Sequence, residues 1–171
     1  GVQTCALPIS TLAGGADPAL LVMNGSNKSA DEVAAAVALG VTVNVDSTDE
    51  IGFLRDAVRR TGRQAKACLR LKVMPPDLEE NLLDAYRTHE GAAENIRRTK
   101  WGFTEEAAIG LVRQLRGIEG VVLEGLSAHV GHLSTKPGAF ASVCRAFARA
   151  ARSEEHTSEL QSRFGISYAV F

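Results

Sequence analysis

One unit recurs along this chain and restricts its fold more than any other feature: a short β-branched or aliphatic run, a polar turn, then a capped amphipathic helix. Leu20 to Met23 is apolar and ends at Asn24-Gly25, the signature of a strand entering a turn. Ser29 with Glu32 three residues on forms a capping box, and Val33 and Val37 then share one helix face. Val41 to Asp46 reads as the second strand. Ser47 with Glu50 predicts a second capping box, opening a helix with Ile51, Leu54 and Val58 on its apolar side and Gly62 at its end. Ala65 to Val73 is the third strand. Thr104 caps a helix whose first turn holds Glu105 and Glu106 and whose stripe is Ile109, Val112 and Leu115. Val121 to Val130 is the fourth strand, and Pro137 to about Ala151 the last helix, with Phe140, Val143, Cys144 and Phe147 along its apolar face.

Strands alternating with helices imply a parallel sheet. The strand faces then choose between a doubly wound sheet and a barrel. Val41, Val43 and Val45 oppose Thr42, Asn44 and Asp46. Ala67, Leu69, Leu71 and Val73 oppose Lys66, Cys68, Arg70 and Lys72. Val122, Leu126, Ala128 and Val130 oppose Gly125, Ser127 and His129, with Glu124 out of place on the apolar side. A strand covered by helices on both faces reads as almost continuously apolar. These strands instead keep one apolar face and one that turns polar toward the C-terminal end. That pattern predicts an α/β fold, a partial (β/α)8 TIM barrel of about four βα units with polar side chains gathered at its mouth. A complete barrel needs roughly 250 residues, so the 171 residues here are expected to be part of one.

Both ends carry a different signal. GVQTCALPIS at the start, and RSEEHTSELQSRFGISYAVF from Arg152 onward, resemble in-frame translations of short-read sequencing adapters. Residues 1–10 and 152–171 are therefore expected to be adapter-derived, and residues 11–151 to form the barrel segment. With 19 Lys and Arg against 20 Asp and Glu the net charge is −1, and without the C-terminal segment it is zero. Such a balance gives no electrostatic case for nucleic acid or an anionic membrane. No apolar run approaches the ~18–20 residues of a membrane span. Cys5, Cys68 and Cys144 lie far apart with no CxxC pair, which predicts a reducing, cytoplasmic setting without a disulfide framework or zinc site.

Five segments carry a family resemblance in a common order. Asn24-Gly25-Ser26-Asn27-Lys28-Ser29, after Ala13-Gly14-Gly15-Ala16-Asp17-Pro18, resembles the GNNKS segment of diaminopimelate decarboxylases. Val45-Asp46-Ser47-Thr48-Asp49-Glu50-Ile51 is similar to their VDSxxEL, Leu69-Arg70-Leu71 to LRV, and Lys100-Trp101-Gly102-Phe103 to KFGI. Gly125-Leu126-Ser127-Ala128-His129-Val130-Gly131 resembles GLHCHIG, and GVSFHVG of ornithine decarboxylases. The family is that of fold-type III pyridoxal-phosphate decarboxylases of basic amino acids, whose barrel is alanine-racemase-like.

The resemblance implies pyridoxal 5'-phosphate as cofactor, an amino-acid substrate closest to diaminopimelate, and a homodimeric parent enzyme. It places His129 against the pyridoxal ring, Arg70 beside the cofactor, and Lys100 in the ordering of that polar network. Asp46 and Ser47 would shape a strand end and cap a helix, and Lys28 would be structural. His132 stands where the family has a phosphate-contacting Ser, and the family's RVNP is altered to Arg70-Leu71-Lys72-Val73-Met74-Pro75. The family's cofactor-bonding lysine precedes this segment, and its glycine-rich phosphate loop and pyridine-nitrogen acid follow it. Lys28, Lys66, Lys72 and Lys100 are not replacements, so the chain alone is expected to be inactive. Bland readings weigh elsewhere. Cys68 and Cys144 suit small core positions. The stretch Pro75 to Thr99 is a long loop, helical over Leu78 to His89 and polar and solvated from Arg87 to Arg98. A fold-type III racemase, a non-enzymatic carrier of the same cofactor, and a self-sufficient small α/β binding domain are the alternatives.

Overall fold

The computed structural model describes residues 13–78, 91–129 and 137–157. Its sheet has four strands in the order of the sequence: β1 (Val22–Met23), β2 (Thr42–Val45), β3 (Ala65–Leu71) and β4 (Val121–Ala128), every neighbouring pair parallel. Helices α1 (Ala30–Leu39), α2 (Thr48–Thr61), α3 (Ala92–Arg98), α4 (Glu105–Arg116) and α5 (Pro137–Thr157) occupy the connections and follow β4. Sequential parallel pairing with intervening helices is the arrangement of consecutive βα units around a barrel wall. The expected partial barrel is what the chain forms.

The core lies between the sheet's apolar face and the helices. Val43, Val45, Ala67 and Leu69 are fully buried there, against Val33 and Val37 of α1, Leu54 of α2, and Val112 and Leu115 of α4. Leu54 and Leu115, both at 0% exposure, anchor the layer through the burial of their apolar area. The Ser29 capping box forms as expected, Ser29 Oγ accepting from the Glu32 N–H while the Glu32 carboxylate accepts from the Ser29 N–H at 2.7 Å. Gly40 ends that helix at φ +77°, a conformation that costs a residue with a Cβ.

Several expectations are corrected. Leu20 is not in a strand: Asp17 accepts from the Ala19 N–H and Pro18 starts a 3-10 turn, leaving Leu20 80% exposed and β1 only two residues long. The strands β2, β3 and β4 are shorter than the apolar runs that announced them. Ser47 makes no side-chain cap, because the Glu50 carboxylate turns away from it and accepts from the Asp46 N–H at 2.8 Å. Part of the Arg87 to Arg98 stretch is helix α3 rather than loop. The remainder, with His89 and nearly all of Leu78 to His89, lies outside the described residues. Helix α5 continues past Ala151 to Thr157, and its buried stripe is Ala139, Ser142, Ala146, Phe147, Ala150 and Ala151. Small residues let that helix sit close to the layer beneath, while Phe140 turns out at 36% exposure.

The fourth strand does not keep one alternation along its length. Ala67 pairs with Leu123 but Cys68 pairs with Gly125, so Glu124 is an extra residue in a β-bulge. Before the bulge Val121 and Leu123 are buried and Val122 is 37% exposed; after it Leu126 joins the core. The misfit of Glu124 in the sequence pattern is the bulge itself.

Candidate functional site

The face of the sheet away from the helices is the barrel interior, and its polar residues rise in layers from the register. Thr42 and Glu124 lie deepest: Thr42 Oγ1 donates to Glu124 Oε2 at 3.0 Å, with Lys66 Nζ at 3.9 Å from the same carboxylate. Next comes Asn44, level with Cys68 on β3, which in turn pairs with Gly125 on β4; Asn44 Nδ2 donates to Asn24 Oδ1. Burial, with Glu124 nearby, pushes the Cys68 thiol up to about 11. Cys68 is thus half-buried on the polar face rather than a core residue, and Cys144 on α5 is half-buried too.

Charge concentrates in the layer above, at the strands' C-terminal ends. Arg70, opposite Ser127 on β4, donates from Nη1 to Asp46 Oδ1 at 2.8 Å. The other Asp46 oxygen, Oδ2, faces Lys28 Nζ at 3.1 Å, and Lys28 also meets Glu50 Oε2 at 3.0 Å. Lys28 completes its donors with the Gly25 carbonyl. The Lys28 and Asp46 side chains are 0% and 1% exposed, whereas Arg70 reaches the edge of the network at 15%. Burial pushes the Glu50 carboxyl up from its ordinary range, opposed by the Asp46 N–H and by the Lys28 ammonium.

A loop from the long excursion after β3 closes over this layer. The Gly102 N–H donates to the Asp46 carbonyl at 3.1 Å and the Phe103 N–H to the Arg70 carbonyl at 2.9 Å. The Lys72 N–H returns a bond to the Phe103 carbonyl at 2.8 Å, and Lys72 Nζ caps the end of α3 through the Arg97 and Thr99 carbonyls. Lys72 thereby supplies a positive charge where the helix carbonyls need one.

The four residues expected at the site fare differently. Arg70 stands in the charged layer. His129 is the first residue after β4, partly buried, and continues the alternation that turns Ser127 to the interior. Lys100 is exposed and makes no hydrogen bond or ion pair among the described residues. Ordering of the network falls instead to the backbone of Gly102 and Phe103 and to Lys28. His132 lies outside the described residues. Lys28 is structural, as expected, but sequence reasoning missed its pairing with Asp46 and Glu50. The one available signal was a lysine five residues after a strand run, together with an Asp-x-x-x-Glu spacing after the next strand.

Among the described residues, three buried oxygens on or beside this face, Asn44 Oδ1, Glu50 Oε1 and Ser127 Oγ, have no hydrogen-bond partner, and Asp46 is the only side chain that Arg70 bonds. Guanidinium donors beyond the one bonded to Asp46 and a lone hydroxyl beside them fit an anionic group. Fold and site together define a class: a parallel β/α barrel segment with a charged layer, Lys28, Asp46, Glu50 and Arg70, at its strand ends. The chain belongs to the pyridoxal-dependent decarboxylase family, its residues 9–169 matching the pyridoxal binding domain.

The relatives agree with that membership. The chain is similar to the diaminopimelate decarboxylases of Deinococcus radiodurans (31% identical over 148 residues, 86% of this chain and 34% of that one) and of Zymomonas mobilis (25% over 162 residues, 90% and 36%). It spans 25% of the Archaeoglobus fulgidus diaminopimelate decarboxylase, at 28% identity. Among solved structures it superposes on diaminopimelate decarboxylase from Helicobacter pylori complexed with L-lysine, at a TM-score of 0.76 and 19% identity over 93% of this chain and 38% of that one. Alanine racemase from Clostridium difficile 630 matches at 0.63 and 14%, over 95% of this chain and 36% of that one. At these identities the structural likeness shows the shared barrel alone. The chain covers about a third of the length of the relatives it matches.

Proposed function

We propose that this chain is the pyridoxal-binding barrel segment of an amino-acid decarboxylase whose substrate is diaminopimelate. The observation that carries the proposal is the Arg70–Asp46–Lys28 arrangement at the strand ends, in a chain that belongs to the pyridoxal-binding family. Pyridoxal phosphate, when bound, supplies a conjugated ring that accepts the electron pair left behind as carboxylate departs. The protein's part is to hold and orient. His129 offers a flat imidazole for a heteroaromatic ring to lie against. Arg70 presents guanidinium donors whose direction is set by one bond to Asp46. Ser127 contributes a hydroxyl beside it, and His132 holds the sequence position of the family's phosphate-contacting Ser. The loop closed by Gly102 and Phe103 shields the layer from water, which strengthens each of these interactions.

Diaminopimelate is favoured over ornithine, lysine or arginine by the NGSNKS segment and the long excursion before Lys100, and the named relatives support the same choice. The parent is read as a cytoplasmic homodimer; no helix among the described residues is long and apolar enough to cross a membrane. The test is carbon dioxide release by the intact parent enzyme from each of these four amino acids. Diaminopimelate is expected to be turned over preferentially. Preference for another amino acid, or inversion of an amino acid without gas release, would overturn the reading.

A further inference from the structure

We propose that Lys28 is a positioning residue for Arg70, acting through the Asp46 carboxylate, so that a buried residue that does not touch the guanidinium sets its direction. The proposal rests on the pyridoxal-binding reading only for its consequence in cofactor affinity. Its geometry stands alone.

Asp46 divides its two oxygens between two cations, Oδ1 to Arg70 Nη1 at 2.8 Å and Oδ2 to Lys28 Nζ at 3.1 Å. Lys28 is in turn fixed from three directions, by Asp46, by Glu50 Oε2 at 3.0 Å and by the Gly25 carbonyl. An ammonium has three donors, and all three are used. The group is neutral as a whole: two cations against two carboxylates. With the ammonium removed, Asp46 and Glu50 become adjacent buried carboxylates facing one remaining cation. Like charges in one buried site cannot both stay ionised, so the pair takes up a proton or draws Arg70 inward. A proton on Asp46 weakens its bond to Arg70, and a proton on Glu50 still leaves Asp46 Oδ2 without the cation that held it, so in every case the guanidinium loses its fixed bearing. A residue that merely filled space would be replaced without this consequence by a side chain of similar volume.

That difference gives a rescue test. Lys28→Met keeps volume and removes charge. Adding Glu50→Gln to it removes the surplus carboxylate, while the amide oxygen still accepts from the Asp46 N–H. The experiment follows the Arg70 Nε–Hε resonance by NMR in the full 171-residue chain, alongside titration with pyridoxal phosphate. Lys28→Met is expected to shift or broaden the Arg70 signal and to weaken cofactor binding about tenfold, the scale of one lost charge-assisted hydrogen bond. The double variant is expected to recover the signal and most of the affinity. An unchanged Arg70 signal in Lys28→Met, or a double variant no better than the single, overturns the proposal. Should Lys28→Met fail to fold by circular dichroism, the double variant decides: a native Arg70 signal supports the positioning role and an unfolded chain refutes it. If the Arg70 signals follow the expected pattern while the intact parent enzyme binds no pyridoxal phosphate, the positioning role stands and the functional reading falls.

Discussion

Gly102 is the residue at which the excursion after β3 touches the charged layer, and replacing it by Ala should damage both stability and site. Its φ is +75°, and a Cβ there would stand 2.7 Å from the Arg70 carbonyl oxygen, 3.1 Å from Arg70 Cγ and 3.2 Å from the Arg70 carbonyl carbon. The backbone conformation alone costs about 1 kcal/mol for a residue with a Cβ. The contact adds to this, because its nearest partner is backbone in a paired strand and has no rotamer by which to retreat. The loop must lift, loosening the bonds from Gly102 N–H to Asp46, from Phe103 N–H to Arg70 and from Lys72 N–H to Phe103. At roughly 0.5–1.5 kcal/mol for each of the three hydrogen bonds, and with the conformational cost, the total reaches about 2.5–5.5 kcal/mol. Gly40→Ala is the control: its φ is +77°, but nothing lies within 4 Å of the added Cβ, so only the conformational cost of about 1 kcal/mol applies. Urea unfolding of the two variants measures the difference directly. If Gly102→Ala is no less stable than Gly40→Ala, the loop is not held as described and the reasoning fails.

Two further predictions concern caps and pH. Ser29→Ala should cost about 0.5–2 kcal/mol, since it breaks a capping box, whereas Ser47→Ala should be nearly silent because Ser47 caps nothing; paired thermal melts separate them. The Cys68 thiol sits at about 11 in the folded chain against an ordinary 9.0, so the folded state keeps its proton where the unfolded state has lost it. That contribution to stability is whole below pH 9 and lost as pH rises toward 11. Denaturant midpoints measured across that interval should fall for wild type and fall less for Cys68→Ala.

The class of fold was legible because it depends on patterns local to each unit. Val41, Val43 and Val45 announce a buried face by alternation alone, and Ser29 with Glu32 announces a helix start within four residues. What escaped was decided by residues distant in the chain. The Glu50 carboxylate left the expected cap because Lys28, twenty-two positions earlier, lay close enough to hold it. Lys100 matched a motif, but its neighbours Gly102 and Phe103 make the contacts, through backbone atoms that no side-chain pattern encodes. Leu20 looked like strand because it is apolar, although Asp17 and Pro18 had already committed it to a turn. His129 and Arg70 were found through resemblance, and their placement then follows from strand parity.

Parity also gives the bulge at Glu124 a meaning beyond its own geometry. In a strand, the side a residue faces is decided by whether its distance from a reference position is odd or even. Glu124 adds one to that count. Leu123 and Leu126 both reach the helices only because an additional residue stands between them, and Ser127 faces the interior for the same reason. Counted straight from Val121 and Leu123, Ser127 and His129 would point among the helices and Leu126 into the polar mouth. The bulge works as a frameshift written into the backbone. The half of β4 that builds the core and the half that serves the site are thereby read in different phases, so substitutions can tune either half, whereas losing a single residue between them would exchange the two.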